Sequence, residues 1–323
     1  PPAALHFTTL PRQITRLPVL PVEFTLPGQR NSPRGTQKGP MPMFQKATLQ
    51  QISFLLRQKS VQFTFYLLLL IVLYSYFSAI GEFHGMDLLE MCGPVNLLSI
   101  SWDRANYNQG LLMVITMLYP VLAVCPAGFS LAREKASGEQ VFLAARMGYR
   151  SYHFSKLTAA FAVTALVFMV PFFLELALNC TAFPLDAAGN LIPANMYNPV
   201  YIAGVRNFLF SDLYVWNPYV YAVVGILFLG FLSGLLGAFT VAFSSLVRVK
   251  YRIFLFLPVF LLLNATMYLN RLFSSADFSM GWDHYFFLLD EQPKSGIYLL
   301  FLILLLAGFS VLGAWKAGRR DCI

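Results

Sequence analysis

Charge is scarce in this 323-residue chain: only 12% of its residues are Asp, Glu, Lys or Arg, about half of what a soluble domain carries. Histidine and cysteine are scarcer still, at four each, and none has the spacing of a metal-ligand set. The signature Gly-x-x-x-x-Gly-Lys-Ser/Thr is absent, which excludes a phosphate-binding loop of that kind. No stretch interleaves basic and aromatic residues as a nucleic-acid groove does. The net charge of +8 is instead placed at the flanks of apolar runs, which sets nucleic acid aside as a partner.

What is abundant is apolar surface. Hydrophobic residues make up 57% of the chain, with 31 Phe and 16 Tyr. Six apolar runs stand out, at about 61–80, 111–130, 157–178, 219–246, 253–269 and 297–315. A helix needs about 20 apolar residues to cross a bilayer core, so the runs predict an all-α polytopic membrane protein with six transmembrane helices. The fourth and fifth runs are separated by Val-Arg-Val-Lys-Tyr-Arg alone, a tight hairpin. Pro120, Pro126, Pro171 and Pro258 interrupt apolar segments, and kinks satisfied by neighbouring helices account for them. Residues 1–42 are compositionally separate. They hold nine of the 19 prolines and no periodic pattern, so they read as a disordered or appended tail, without the plan of a secretory signal.

Orientation follows from the basic residues. With the N-terminus in the cytoplasm, segments 41–60, 131–156, 247–252 and 316–323 carry 14 basic residues against three acids. The outer connections 81–110, 179–218 and 270–296, with Glu175 at the end of the third run, carry four basic residues against 11 acids. The positive-inside rule therefore places both termini in the cytoplasm. Trp102, Trp216 and Trp282 are expected near the outer headgroups and Trp315 at the inner boundary. Cys92 and Cys180 share the outer face on this topology, where a disulfide is geometrically open. Tyr285–Leu289 is too short to cross but long enough to dip in and return. Glu175 reads either as an interfacial carboxylate or as a functional one within the membrane. Small residues in the fourth run, Gly230, Gly234 and Gly237 among them, permit close helix approach within the chain or between chains, and Asn264 in the fifth is suited to bond across helices.

Residues 43–60 mix Phe44, Leu49, Ile52, Phe54, Leu55 and Leu56 with Lys46, Gln50, Gln51, Arg57 and Lys59. An amphipathic helix in the inner interface fits this pattern; an extension of the first transmembrane helix is the alternative. The loop 131–156 is more specific. Arg133, Glu134 and Lys135 mark the exit from hydrocarbon, and Gly138 permits a break. Glu139 can then accept from the open amides of a short helix at about Gln140–Met147 that contains Val141, Phe142, Leu143 and Arg146. Gly148 allows a second turn, and Ser151 is suited to cap the next helix. A short helix held along the membrane can push on the spans; an ordinary positive-inside loop is the plainer reading, though it does not explain the apolar helix between glycines.

With Arg133-Glu134, Gly138-Glu139, the apolar helix from Val141, Ser151 and Lys156 in place, the chain resembles the permease subunit of an ABC-2 type ATP-binding-cassette exporter over about residues 43–323. The resemblance implies that 131–156 is a coupling loop docked on an ATPase and that Arg248 and Lys250, in the short hairpin, form a second contact. It makes 270–296 a re-entrant outer hairpin. It also implies a second permease copy or a homologous permease, membrane lipids around the spans, and ATP and Mg bound by the partner ATPase with no catalytic, cofactor or metal residues in this chain. The expected activity is export across the plasma membrane of an apolar or amphipathic substrate, such as a drug, an antimicrobial peptide or a lipid. A secondary transporter would want inverted repeats or mid-membrane charges; a membrane-embedded enzyme would want acids or histidines at one depth; a non-transporting sensor or assembly protein remains the other alternative.

Overall fold

The computed structural model describes residues 43–86, 91–104, 108–185, 204–247, 252–273 and 277–320. The tail 1–42, Asp186, Arg248 and Lys250 lie outside these residues, and the compact unit runs from Met41 onward. The fold is helical, and no β-strand is present among the described residues. In chain order the helices are α1 Met43–Leu56, α2 Lys59–Phe83, α3 Gln109–Val124, α4 Ser130–Ser137, α5 Glu139–Met147, α6 Tyr149–Ala182, α7 Ser211–Trp216 and α8 Pro218–Leu246. A 3-10 turn Arg252–Phe256 leads into α9 Leu257–Leu272, followed by α10 Trp282–Phe286 and α11 Gly296–Arg320.

Five segments are long and apolar enough to cross a membrane: Lys59–Phe83, Tyr149–Ala182, Pro218–Leu246, Phe254–Leu272 and Gly296–Arg319. The chain is thus a multi-pass helical membrane protein. The second apolar run departs from expectation, because α3 has only 16 residues, short of the length that spans a bilayer. Its side-chain cap is Asn108, whose Oδ1 accepts from Leu111 N at 3.1 Å. Turns follow at 125–129, and a Cβ on Gly128 would lie 2.8 Å from Thr240 Cγ2 of α8. The chain bends where only glycine lets it approach α8 so closely. Of the four prolines, Pro120 and Pro171 lie inside helices, Pro126 is in that turn, and Pro258 occupies the first turn of α9, where its missing N–H costs nothing.

Helix α6 is the hub, packed most extensively against α8 and also against α1, α2 and α11. The close approach is built from small residues on α8. A Cβ on Gly230 would meet Met169 Cγ at 2.3 Å, one on Gly234 the Phe161 carbonyl at 2.7 Å, and one on Gly237 Thr164 Oγ1 at 2.5 Å. The small-residue face thus belongs to a contact within the chain. Its start is fixed by Asn217, whose Oδ1 accepts from Tyr219 N at 2.9 Å and Val220 N at 3.2 Å, with Pro218 in the first turn. Asn264 bonds its own helix, donating to the Phe260 carbonyl at 2.8 Å, so the expected bond across helices is not made.

Helix α1 is separate from α2, broken at Gln58, whose backbone is extended. It turns Ala47, Gln51 and Leu55 into the protein at four-residue spacing and leaves Phe44, Leu49 and Phe54 exposed. Cys92 and Cys180 form no disulfide. Cys92 is sealed in a cluster with Ala79, Phe83, Leu97 and Phe183, while Cys180 packs at the edge of the main core. Trp282 also departs from its expected headgroup position. It is buried, with its ring stacked on Tyr119 at 5.0 Å and 15°, because α10 folds back into the helical core.

Candidate functional site

The sequence elements singled out in 131–156 assemble at one end of the bundle. Gly138 and Gly148 have φ of 76° and 77°, a backbone region that side-chain-bearing residues rarely enter. They delimit α5 at both ends. Ser151 is not a cap: α6 starts at Tyr149, with Gly148 in the capping position. Leu143 and Met147 pack against a small core of Ala127, Leu131, Ala144, Tyr152, Ala160 and Val241. On the other face Val141 is 60% and Phe142 76% exposed. Glu139, Arg133 and Arg146 are exposed around them, so α5 is rooted on one side and offers two large apolar side chains on the other.

Beneath α5 lies a buried polar joint. Glu134 of α4, expected to mark the exit from the membrane, is fully buried and accepts from the Tyr152 hydroxyl and the Lys156 ammonium of α6. Lys156 also donates to Gln51 Oε1 of α1 at 3.1 Å and lies 5.6 Å from the centre of the Phe54 ring. Every strong donor and acceptor at the Lys156–Glu134 contact therefore has a partner, which is what makes a buried pair tolerable. One residue over, Lys135 Nζ donates to the carbonyls of Ser244 at 2.9 Å and Ser245 at 3.2 Å, a cation on the negative end of α8. Helices α1, α4, α6 and α8 are thereby tied to the segment that carries α5. Between α1 and α5 runs a groove of ≈280 Å³ lined by Gln50, Gln51, Phe54, Glu139, Phe142 and Leu143.

The opposite end is closed by two segments held together. Trp102 N donates to the Leu288 carbonyl at 2.8 Å, and Leu288 N to the Ile100 carbonyl at 2.8 Å, pairing 91–104 with the stretch after α10. Glu175 of α6 is buried completely and accepts from Ser99 N at 2.8 Å and Ser99 Oγ at 2.7 Å. It is an internal anchor for this cap and not an interfacial carboxylate. Arg104, also buried, pairs with Glu82 of α2 at 2.5 Å. On the other segment His284 Nδ1 lies 2.9 Å from Asp290 Oδ2, and Lys294 Nζ 3.3 Å from the same oxygen. Burial opposes protonation of His284, yet the bond to Asp290 and the charges of Asp283 and Asp290 outweigh it, and the imidazole sits above its ordinary value. Asp103 is pushed up to about 6, first by burial and then by Glu291.

Tyr152 was not singled out by the sequence, and Gln51 was read only as a polar position of the amphipathic helix, whereas it is buried and bonds Lys156; a hydroxyl and an amide among aromatics and glutamines carry no local signal of what they bond. Among the described residues no cluster of three His, Cys, Asp or Glu could hold a metal ion. Comparison with protein-family models, with curated proteins and with solved structures finds no match to this chain.

Proposed function

We propose that the chain is the transmembrane permease subunit of an ATP-binding-cassette exporter of ABC-2 type in the plasma membrane, with both termini in the cytoplasm and six crossings, the sixth made by the short α3 together with the apolar turns 125–129 that extend it. The observation that carries this reading is α5. It is a short helix bracketed by two left-handed glycines, showing Phe142 and Val141 outward and rooted through Leu143 and Met147 in a small core that includes Tyr152, whose hydroxyl bonds Glu134. A contact made by Phe142 would be transmitted into α6 through that packing, and from there to α4 and α1 along hydrogen bonds and an ion pair. In this reading a separate ATPase binds ATP and Mg, its closure pushes α5, and the helices exchange inward-open and outward-open arrangements. A second permease copy or a homologous permease completes the path. The cargo fits an apolar or amphipathic compound.

The test is Phe142→Asp. It places a carboxylate where apolar contact is expected, at a desolvation cost without compensation, on a side chain already exposed, so folding should survive. The expected result is loss of co-purifying ATPase or of coupling between ATP turnover and export in vesicles. Association, turnover and transport all at the unaltered level would remove α5 as the transmission element.

A further inference from the structure

The end of the bundle that carries α5 holds a second surface that the transport reading does not use. Where α1 hands over to α2, a groove of ≈330 Å³ opens between Leu56, Phe65 of α2 and Leu166 and Val170 of α6, with Gln62 and Tyr66 on its wall. Leu166, Val170 and Tyr66 are also exposed to the outside of the bundle, on helices long and apolar enough to lie in hydrocarbon. The medium that meets this groove is therefore lipid. Arg57 stands in the turn between α1 and α2 and Lys59 opens α2, both exposed. Among the described residues no carboxylate pairs with either.

The order of side chains along α2 is the informative part. Lys59, Gln62 and Tyr66 follow at i, i+3 and i+7, which at about 100° per residue places them on one face of the helix within roughly 60°. Moving into the span, that face offers a cation, an amide, a phenol and then aliphatic walls. A phospholipid presents the matching series: phosphate, glycerol ester oxygens, acyl chain. We propose that this groove binds an anionic phospholipid of the adjoining leaflet, with its phosphate at Arg57 and Lys59, its ester oxygens beside Gln62 and Tyr66, and one acyl chain along Leu166 and Val170. Charge complementarity selects the occupant. A zwitterionic lipid would return a cation to a site that already has two, and a water-soluble anion would leave the apolar length unfilled. The inference rests on the membrane-embedded helices alone and stands or falls independently of any ATPase.

Native mass spectrometry of the full chain in a neutral detergent tests it, using phosphatidylglycerol and phosphatidylcholine with identical acyl chains. The unaltered protein should retain phosphatidylglycerol in clear preference. In R57Q/K59Q, where two exposed charges are removed and the fold is untouched, phosphatidylglycerol retention should fall by roughly tenfold, to the phosphatidylcholine level. V170W, which fills the groove from an exposed position, should lower retention of both lipids. R319Q, a charge removed elsewhere at the same end, should leave retention unchanged. Equal retention of the two lipids by the unaltered protein overturns the proposal, and so does undiminished phosphatidylglycerol in R57Q/K59Q. Full retention in V170W would mean that the charges act without the groove, and it overturns the site as described.

Discussion

Glu134 and Lys156 are 22 residues apart in the chain, yet they meet as an ion pair in which neither side chain is more than 1% exposed. The pair joins the helix that precedes α5 to the helix that forms the hub, and Gln51 extends it to α1. Two charges so deep are retained at considerable desolvation cost, which the further bonds from Tyr152 to Glu134 and from Lys156 to Gln51 offset.

Removing one partner leaves the other charged and buried. Lys156→Met is expected to destabilise the protein by about 3–5 kcal/mol, and the double change Glu134→Leu with Lys156→Met to recover much of that loss. Thermal unfolding in detergent of both variants reads the difference. Equal stability of the single and the double variant would show that the pair is not coupled.

The α6–α8 contact predicts a steric result. Gly234→Val adds atoms against the Phe161 carbonyl, where even a Cβ would lie at 2.7 Å, and overpacking of this kind costs about 1–3 kcal/mol. Gly308→Ala, with nothing within 4 Å of the added Cβ, should be neutral. Melting temperature and yield of folded protein compare the two.

The paired segments of the far end should tighten in acid. Asp103 has an ordinary value of 3.8 and is pushed up to about 6. Between those values the folded protein holds a proton that the unfolded chain has lost, so this contribution is present at low pH and fades as pH rises through about 6. His284, raised above its ordinary 6.5, acts in the same sense: its stabilisation is complete below that ordinary value and is lost as pH rises through the elevated one. Protection factors in 96–103 and 283–290, with the intrinsic pH dependence of amide exchange divided out, should therefore be higher at pH 5 than at pH 8. Asp103→Asn should remove the lower part of the dependence and His284→Gln the upper part.

Topology can be read with single cysteines in a background without the native ones. Val215→Cys, at a position 75% exposed, should react with an impermeant thiol reagent added outside intact cells. Arg319→Cys should react only after permeabilisation. Outside labelling at Arg319 would reverse the proposed orientation.

Much of the fold is legible in hydropathy, because lipid leaves a chain few choices beyond helix. The run at 219–246 is α8 to within a residue at its start, and Gly138 and Gly148 mark the breaks around α5. Hydropathy did not see the end of the second run at Val124, since the turn after it is as apolar as the helix before it. Nor could it foresee that Glu134 would turn inward, because its partners come from a later helix. The same holds for Glu175, whose partner Ser99 is 76 residues away, and for Trp282, an interfacial residue by type that stacks on Tyr119. Charge pairs and aromatic stacks between distant segments are set by tertiary register, which no local pattern encodes.

The glycine contacts between α6 and α8 also bear on how the protein is made. Helix α6 leaves the ribosome well before residues 218–246 exist, so its contact face, with Phe161, Thr164 and Met169, must wait in the bilayer or in the insertion machinery with α1, α2 and α5 already synthesised but its most extensive partner, α8, still missing. A nascent chain halted just before Pro218 would carry that bare face with nothing to close it. Such halted chains should be bound by membrane quality-control factors and turned over quickly, whereas chains extended past Leu246 should persist. The hub of the finished structure is the liability of the growing one.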